Sequence, residues 1–189
     1  FSVKMHPDVA FLCDVHAHLA DAEIIGLLGG RWDAAQRVVY VQAPFPCRAS
    51  PRDDDGATDV EMDPTSEIEV RDVIARHGMA VVGWYHSHPR FIPEPSVTDI
   101  ENQRNYQALF ADDAANRQPF IGVIVGTYDT ARKTPNSLFR FFHVRSEQLG
   151  SARAAPVEIP MRLRASVRTF VPALALEPAA AARAAAAAP

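Results

Sequence analysis

Two histidines and an aspartate lie close together in the stretch "HSHPRFIPEPSVTD", which spans residues 86–99. His86 and His88 are two residues apart at the end of an apolar run, so on a β-strand both imidazoles would project from one face. Pro89 lacks a backbone N–H and would end the strand there, which leaves both rings at a strand terminus that can open to solvent. Asp99 could return to them through the proline-rich bend. His86, His88 and Asp99 are therefore predicted to bind one metal ion.

A set of three protein ligands indicates catalytic rather than structural zinc, because it leaves one tetrahedral position open for water. Two neutral imidazoles and one carboxylate leave a net charge of about +1, which favours lowering the pKa of a bound water towards about 7. Such a site also needs a general base and a donor to the oxyanion of an attacked carbonyl. The residues alone leave the base open among six glutamates: Glu23, Glu61, Glu67, Glu69, Glu94 and Glu101.

Some of these residues also permit a purely structural interpretation. Ser96 and Asp99 have the S-x-x-D spacing of a capping-box variant, so Ser96 is expected to cap a helix whatever else it does. A cap does not account for two histidines at strand spacing. The second H-x-H pair, His16 and His18, falls on a predicted helix, where residues two apart diverge by about 200°. We expect that pair to serve packing or the surface, as we do for three isolated histidines, His6, His77 and His143.

The elements that must position these residues predict a mixed sheet with helices packed on it, in the α/β or α+β class. Helices are predicted at about 9–22, 65–77 and 96–110. Strands are predicted within "EIIGLLGGRW", "QRVVYVQA", "MAVVGWYHSH", "PFIGVIVGTYD" and "SLFRFFHV", with a further edge strand within "EIPMRLRA". The proline-rich segment 44–64 is expected to be a long loop.

Length and composition indicate one globular domain. The chain has 189 residues, of which 48% are hydrophobic and 22% charged, a balance typical of globular proteins. Residues 1–170 are predicted to form this single domain, and the alanine-rich residues 171–189 a disordered tail or a frayed helix. Because the chain begins with Phe1 rather than methionine, we expect it to be cut from a longer protein or processed.

Charge and cysteine content narrow the partners and the compartment. The formal net charge is −4 and the pI about 6.0, so direct nucleic-acid binding by this domain is not expected, and a polycationic or neutral partner fits better. Two cysteines without close spacing, Cys13 and Cys47, predict a reducing, intracellular compartment. The sequence has no charged-then-apolar leader and no run of about 18 apolar residues, so contact with a membrane is not expected.

The stretch 86–99 resembles the signature of the JAMM (MPN+) zinc metalloproteases: H-x-H-P, seven residues counted from that proline, then S-x-x-D. In that family a glutamate precedes a strand of the form "GLLxG", and "EIIGLLGG" supplies it here as Glu23. The resemblance covers about 21–144. It implies the fold of this family, a mixed curved β-sheet flanked by helices that resembles cytidine deaminase.

By this resemblance, His86, His88 and Asp99 bind Zn²⁺ with a bound water, Glu23 acts as general base and acid, and Ser96 helps to stabilise the oxyanion. Family members mostly cleave the isopeptide bond between the C-terminal Gly-Gly of ubiquitin and a lysine. Some members hold a second, structural zinc through an insertion with extra cysteines and histidines. Loops 111–118 and 127–136 contain neither residue type, so one zinc per chain is expected.

Within the family, the segments "EIIGLLGGRW", "EMDP" and "VVGWYHSHPRF" most resemble histone 2A deubiquitinases that carry Myb-like, SWIRM and MPN domains, and the related MPN domain-containing proteins. This branch implies a nuclear protein with ubiquitinated histone 2A as a substrate. Two alternatives are a catalytically silent scaffold that binds ubiquitin or a protein partner, and a zinc-binding domain that needs a partner for activation. Silent relatives usually lack one of the five motif residues, and all five are present here, which favours an enzyme.

Overall fold

The computed structural model describes residues 1–51, 60–90, 92–114, 116–128, 136–144 and 156–158. Its helices are α1 (Pro7–Ala17), α2 (Pro64–Arg76) and α3 (Val97–Leu109). Its strands are β1 (Ser2–Met5), β2 (Ile25–Asp33), β3 (Val38–Cys47), β4 (Ala80–His88), β5 (Ile121–Gly126), β6 (Leu138–Val144) and β7 (Pro156–Glu158). These strands form one sheet in the order β1-β3-β2-β4-β5-β6-β7, which confirms the predicted mixed sheet with helices.

The strand directions place the end of β4 next to the start of α3. β4 pairs antiparallel with β2 and parallel with β5, and α3 connects the two parallel strands. All six residues of β5, "IGVIVG", are buried, as expected for a strand covered on both faces. The crossover from β4 to β5 therefore begins where His86 and His88 stand at the carboxyl end of β4, and its helix begins close by.

Apolar side chains form a core on each face of the sheet. α1 covers one face, where Val9, Cys13 and Ala17 pack against buried residues of the central strands, among them Leu28, Tyr85 and Val123. α2 and α3 cover the other face, whose core includes Leu27, Trp84 and Phe142. Every second residue of a strand points to the same face. Trp84, His86 and His88 are spaced in this way on β4, so they share the face covered by α2 and α3.

Two buried glutamines connect α3 to this sheet. Gln103 accepts a hydrogen bond from Trp84 Nε1 at 2.7 Å and donates to the carbonyl of Phe120 at 3.0 Å. Gln107 bonds the backbone N–H and carbonyl of Val144 at the end of β6, each at 2.8 Å. Neither amide is more than 1% exposed, so these bonds replace the water that burial removes. They determine where α3 lies on the sheet.

Some predicted boundaries were wrong. The first helix runs from Pro7 to Ala17 rather than over 9–22. β1 was not predicted because its alternation of polar and apolar residues extends over only four positions. β3 extends to Cys47 into the segment predicted as a loop. β7 ends at Glu158, and the rest of the predicted edge strand and the tail at 171–189 lie outside the described residues. Within the described part of the chain, no helix is long and apolar enough to cross a membrane.

Replacing Gln103 with Met is expected to lower the free energy of unfolding by about 1–3 kcal/mol, because it leaves the Trp84 N–H and the Phe120 carbonyl buried without this partner. Urea unfolding followed by tryptophan fluorescence measures the change. The matched control is Arg104→Met on the exposed side of the same helix, which should stay within about 0.5 kcal/mol of the parent. Equal losses in the two variants would contradict a specific role for the Gln103 amide.

Candidate metal centre

His86, His88 and Asp99 converge as the sequence predicts. The Nε2 atoms of the two histidines are 3.0 Å apart, Asp99 Oδ1 lies 3.1 Å from His86 Nε2, and Asp99 Oδ2 lies 3.7 Å from His88 Nε2. All three residues are buried. Among the residues that the structure describes, they form the group of histidine, cysteine and acidic side chains whose spacing could hold a metal ion.

The distances between these donor atoms fit tetrahedral zinc. With metal–ligand bonds of 2.0–2.2 Å, two ligand atoms at tetrahedral positions are about 3.3–3.6 Å apart. The two Nε2 atoms are 3.0 Å apart, and the two Asp99 oxygens lie 3.1 Å from His86 Nε2 and 3.7 Å from His88 Nε2, so each separation is within a few tenths of an ångström of that range. Two imidazole nitrogens and a carboxylate oxygen are also donors that zinc prefers. The three residues therefore fit a zinc ion with one open position, without rearrangement of the backbone.

Neighbouring groups orient the imidazoles. His88 Nδ1 lies 3.1 Å from the carbonyl of Ile92, and a carbonyl accepts only from a protonated nitrogen, so the neutral ring carries its proton there. Nε2 of His88 is then left with a lone pair directed towards the other two ligands. The ring of His86 is stacked on Trp84 at a centroid distance of 4.7 Å and an interplanar angle of 16°. Both rings are thus presented with Nε2 towards the centre.

Asp99 belongs to the start of α3 as well as to the centre. It is the third residue of the helix, and its Oδ2 accepts the backbone N–H of Ser96 at 2.8 Å, while Ser96 Oγ accepts the backbone N–H of Asp99 at 3.1 Å. This is the capping box predicted from S-x-x-D. Burial raises the pKa of the Asp99 carboxyl. Its hydrogen bonds with His86 and His88 lower that pKa by more than burial raises it, so the net pKa is well below the usual range. Asp99 is therefore ionised at neutral pH.

Glu23 is the glutamate that the fold brings to this group. It lies just before β2, its side chain is 9% exposed, and its Oε1 is 3.8 Å from His88 Nε2. Three other candidate bases form ion pairs with arginines: Glu67 with Arg71, Glu69 with Arg48 and Glu94 with Arg140. The last two, Glu61 and Glu101, are exposed.

The remaining histidines have structural contacts. His16 Nδ1 lies 2.8 Å from the hydroxyl of Tyr85, and His18 Nδ1 lies 2.8 Å from the carbonyl of Asp14, so this pair does not share a site. His6 caps α1, His77 caps the end of α2, and His143 Nε2 lies 2.9 Å from the carbonyl of Gln118. Burial raises the pKa of the Cys13 thiol to about 12 and that of Cys47 to about 11, so both are protonated at neutral pH.

Some residues that shape the centre were not predicted. Trp84 could have been found from its strand spacing, since it lies two residues before His86 on the same face. The Ile92 carbonyl gives no signal in the sequence, because any residue supplies a backbone oxygen. Ser87, between the two histidines, was given no role from the sequence, yet its side chain is fully buried and hydrogen-bonded.

Comparisons with known proteins agree with this fold and show the family. Residues 2–112 match the family described as JAB1/Mov34/MPN/PAD-1 ubiquitin protease. The solution structure of protein DSY2949 from Desulfitobacterium hafniense superimposes with a TM-score of 0.56 at 21% identity, over 85% of this chain and 93% of that one, which shows a shared fold. The chain belongs to the JAB1/Mov34/MPN/PAD-1 ubiquitin protease family.

The chain is similar in sequence to proteins named as deubiquitinases and as MPN domain-containing proteins. The chain is 41% identical over 137 residues to human deubiquitinase MYSM1, covering 72% of this chain and 16% of that protein. It is 40% identical over 147 residues to the histone 2A deubiquitinase MYSM1 of Branchiostoma floridae, covering 78% and 17%. It is 35% identical over 163 residues to mouse MPN domain-containing protein, covering 85% and 32%. The chain thus spans about a sixth of the length of the MYSM1 relatives and a third of the mouse protein.

Zinc affinity is expected to fall as the pH is lowered. Burial lowers the pKa of His88, but the hydrogen bonds with Asp99 and the Ile92 carbonyl and the charge of Glu23 raise it, with a net increase above the usual 6.5. A protonated imidazole cannot bind zinc, so the affinity decreases below the raised pKa, beginning at a higher pH than for an ordinary histidine. Zinc titrations between about pH 8 and pH 5.5 measure the dependence. A constant affinity over that interval would contradict zinc binding through His88.

Proposed function

We propose that this chain is a zinc-dependent isopeptidase that removes ubiquitin from protein conjugates. The observation that carries the proposal is the convergence of Glu23 with His86, His88 and Asp99 in one buried cluster, although Glu23 is more than 60 positions away in the sequence. Family membership and the printed names of the MYSM1 relatives support the ubiquitin substrate.

Each side chain of the cluster has a role that its position supports. His86, His88 and Asp99 would hold one Zn²⁺ per chain. Zinc, when bound, supplies Lewis-acid chemistry that lowers the pKa of water and polarises a carbonyl. Glu23, whose Oε1 is 3.8 Å from His88 Nε2, would accept the proton of the attacking water and return it to the lysine amine as the isopeptide bond breaks. These two proton transfers leave Glu23 in its starting ionised form.

Ser96 would act on the oxygen of the attacked carbonyl. Its Oγ accepts the Asp99 N–H at the start of α3, and a hydroxyl that accepts one hydrogen bond still has its own hydrogen to donate. Its capping bond to the Asp99 backbone fixes Oγ at the start of α3. A fixed donor stabilises developing negative charge better than mobile water does, because it needs no reorientation during the reaction. Ser96 would therefore serve both the helix and the reaction.

Ubiquitinated histone 2A is the substrate that the relatives favour, since those from Branchiostoma floridae and Xenopus laevis are named as histone 2A deubiquitinases. The formal charge of −4 is compatible with a basic histone partner. A nuclear location follows from the same substrate. In this proposal the catalytic domain comprises residues 1–170, and contacts with DNA belong to other parts of a longer protein.

Glu23→Gln is expected to retain the fold and bound zinc and to lower turnover by at least about 100-fold, because the amide cannot accept the proton. Release of ubiquitin is measured on nucleosomes with ubiquitinated histone 2A and on lysine-63-linked ubiquitin chains, with zinc content determined for each protein. Glu69→Gln, which alters an exposed carboxylate paired with Arg48, is the matched control and should keep the parent rate.

Full turnover by Glu23→Gln would refute the role of Glu23 while leaving the family assignment intact. No release by the parent protein with zinc bound would instead favour a silent scaffold or a domain that needs a partner protein for activation. Equal losses in Glu23→Gln and Glu69→Gln would point to a general loss of structure rather than of the base.

A further inference from the structure

Ser87 lies between the two histidines of the candidate centre and is fully buried. Its Oγ accepts the backbone N–H of Ile24 at 3.0 Å, and its backbone N–H donates to the carbonyl of Ile24 at 3.0 Å. Ile24 is the residue next to Glu23, and it immediately precedes β2. Ser87 therefore binds the backbone of this segment through both its main chain and its side chain.

The pairing of β2 with β4 explains why the side chain takes part. Ile25 stands opposite His86, so the next antiparallel pair is Ile24 with Ser87. In a hydrogen-bonded pair of this kind, each residue normally donates to the carbonyl of the other. Here the Ile24 N–H donates to the serine hydroxyl. The ladder between β2 and β4 thus ends on a bond to a side chain. This bond is made at Ile24, and the residue directly before it in the sequence is Glu23.

We propose that Ser87 is a positioning residue, whose hydroxyl fixes the Ile24 backbone and through it places the Glu23 carboxylate beside His88. This inference rests on the proposed isopeptidase function. Ser87 does not contact the reacting atoms in this assignment. Its contribution is to orientation, where a displacement of about 1 Å can lower a rate by about 100-fold. Because Ser87 is fully buried it does not contact the substrate, and the effect is expected in kcat rather than in KM.

The variants to compare are Ser87→Ala, which removes the acceptor, and Ser87→Thr, which retains a hydroxyl on a side chain suited to a strand. The matched control is Ser66→Ala. Ser66 is 2% exposed and its Oγ accepts the backbone N–H of Arg48 at 2.9 Å, so this change removes an equivalent buried bond at a different place. Four quantities are measured for each protein: zinc content, kcat and KM for ubiquitin release, and the hydrogen-exchange rate of the Ile24 amide by NMR.

The expected result for Ser87→Ala is one bound zinc, a KM within about twofold of the parent, a kcat lowered by about tenfold or more, and faster exchange at Ile24. Ser87→Thr should restore most of the kcat and the slow exchange. Ser66→Ala should keep the kcat of the parent. The Ile24 exchange rate tests the bond itself, independently of any activity.

Several results would overturn the proposal. One is a Ser87→Ala protein with the kcat of Ser66→Ala, and another is exchange at Ile24 as slow as in the parent. Loss of zinc in proportion to kcat, or failure of Ser87→Ala to fold, would assign the hydroxyl to the metal ligands or to folding instead. If the parent protein itself releases no ubiquitin, the proposed function fails, and the Ile24 exchange rate alone decides whether Ser87 fixes this segment.

Discussion

The carboxylate of Asp99 interacts with its own helix and with two imidazoles at once, and the candidate centre depends on this double contact. Moving a carboxylate out of water costs several kcal/mol unless hydrogen bonds and opposite charge replace the water. Here the Ser96 N–H, the positive end of the α3 dipole and the imidazoles replace it. Asp99 can therefore be buried and ionised together, which a metal ligand requires.

This contact makes the position of α3 a determinant of the site's geometry. A capping box fixes Asp99 relative to the helix axis, but only packing fixes the helix relative to β4. The amides of Gln103 and Gln107 provide that second constraint, because they bond the Trp84 ring, the Phe120 carbonyl and the end of β6. Trp84 in turn stacks on His86. One polar network thus orients both α3 and the ligand His86. Its two glutamines are fully buried, where hydrogen bonds are stronger than in water.

The parts of the site that follow local rules could be predicted from the sequence, and the others could not. Two-residue spacing placed His86 and His88 on one face, and S-x-x-D gave the helix start at Ser96, since both depend only on neighbouring residues. On α1 the same kind of pattern was misleading. The helix was predicted from the spacing of Val9, Phe11, Leu12, Val15 and Leu19. Of these five residues only Val9 is buried, and the other buried residues of α1 are Cys13 and Ala17. Which apolar face meets the sheet is decided by the tertiary packing of β1 and β3.

Glu23 illustrates the limit of local rules, because spacing left six glutamates open and only the resemblance selected one. Its position depends on the register of β2 against β4. Ile25 lies opposite His86 in this antiparallel pair. Glu23, two residues before Ile25, is therefore opposite His88, two residues after His86, and both lie on the same face. A slip of one residue would turn its side chain to the other face of the sheet. Glycine at position 26 helps to fix this register, since a Cβ there would lie 2.4 Å from the Tyr85 ring and 2.6 Å from the Phe45 carbonyl. Gly26, three residues after the proposed catalytic glutamate, is thus explained by the close approach of β2 to Tyr85. Its effect on the chemistry is indirect, through the register that brings Glu23 to His88.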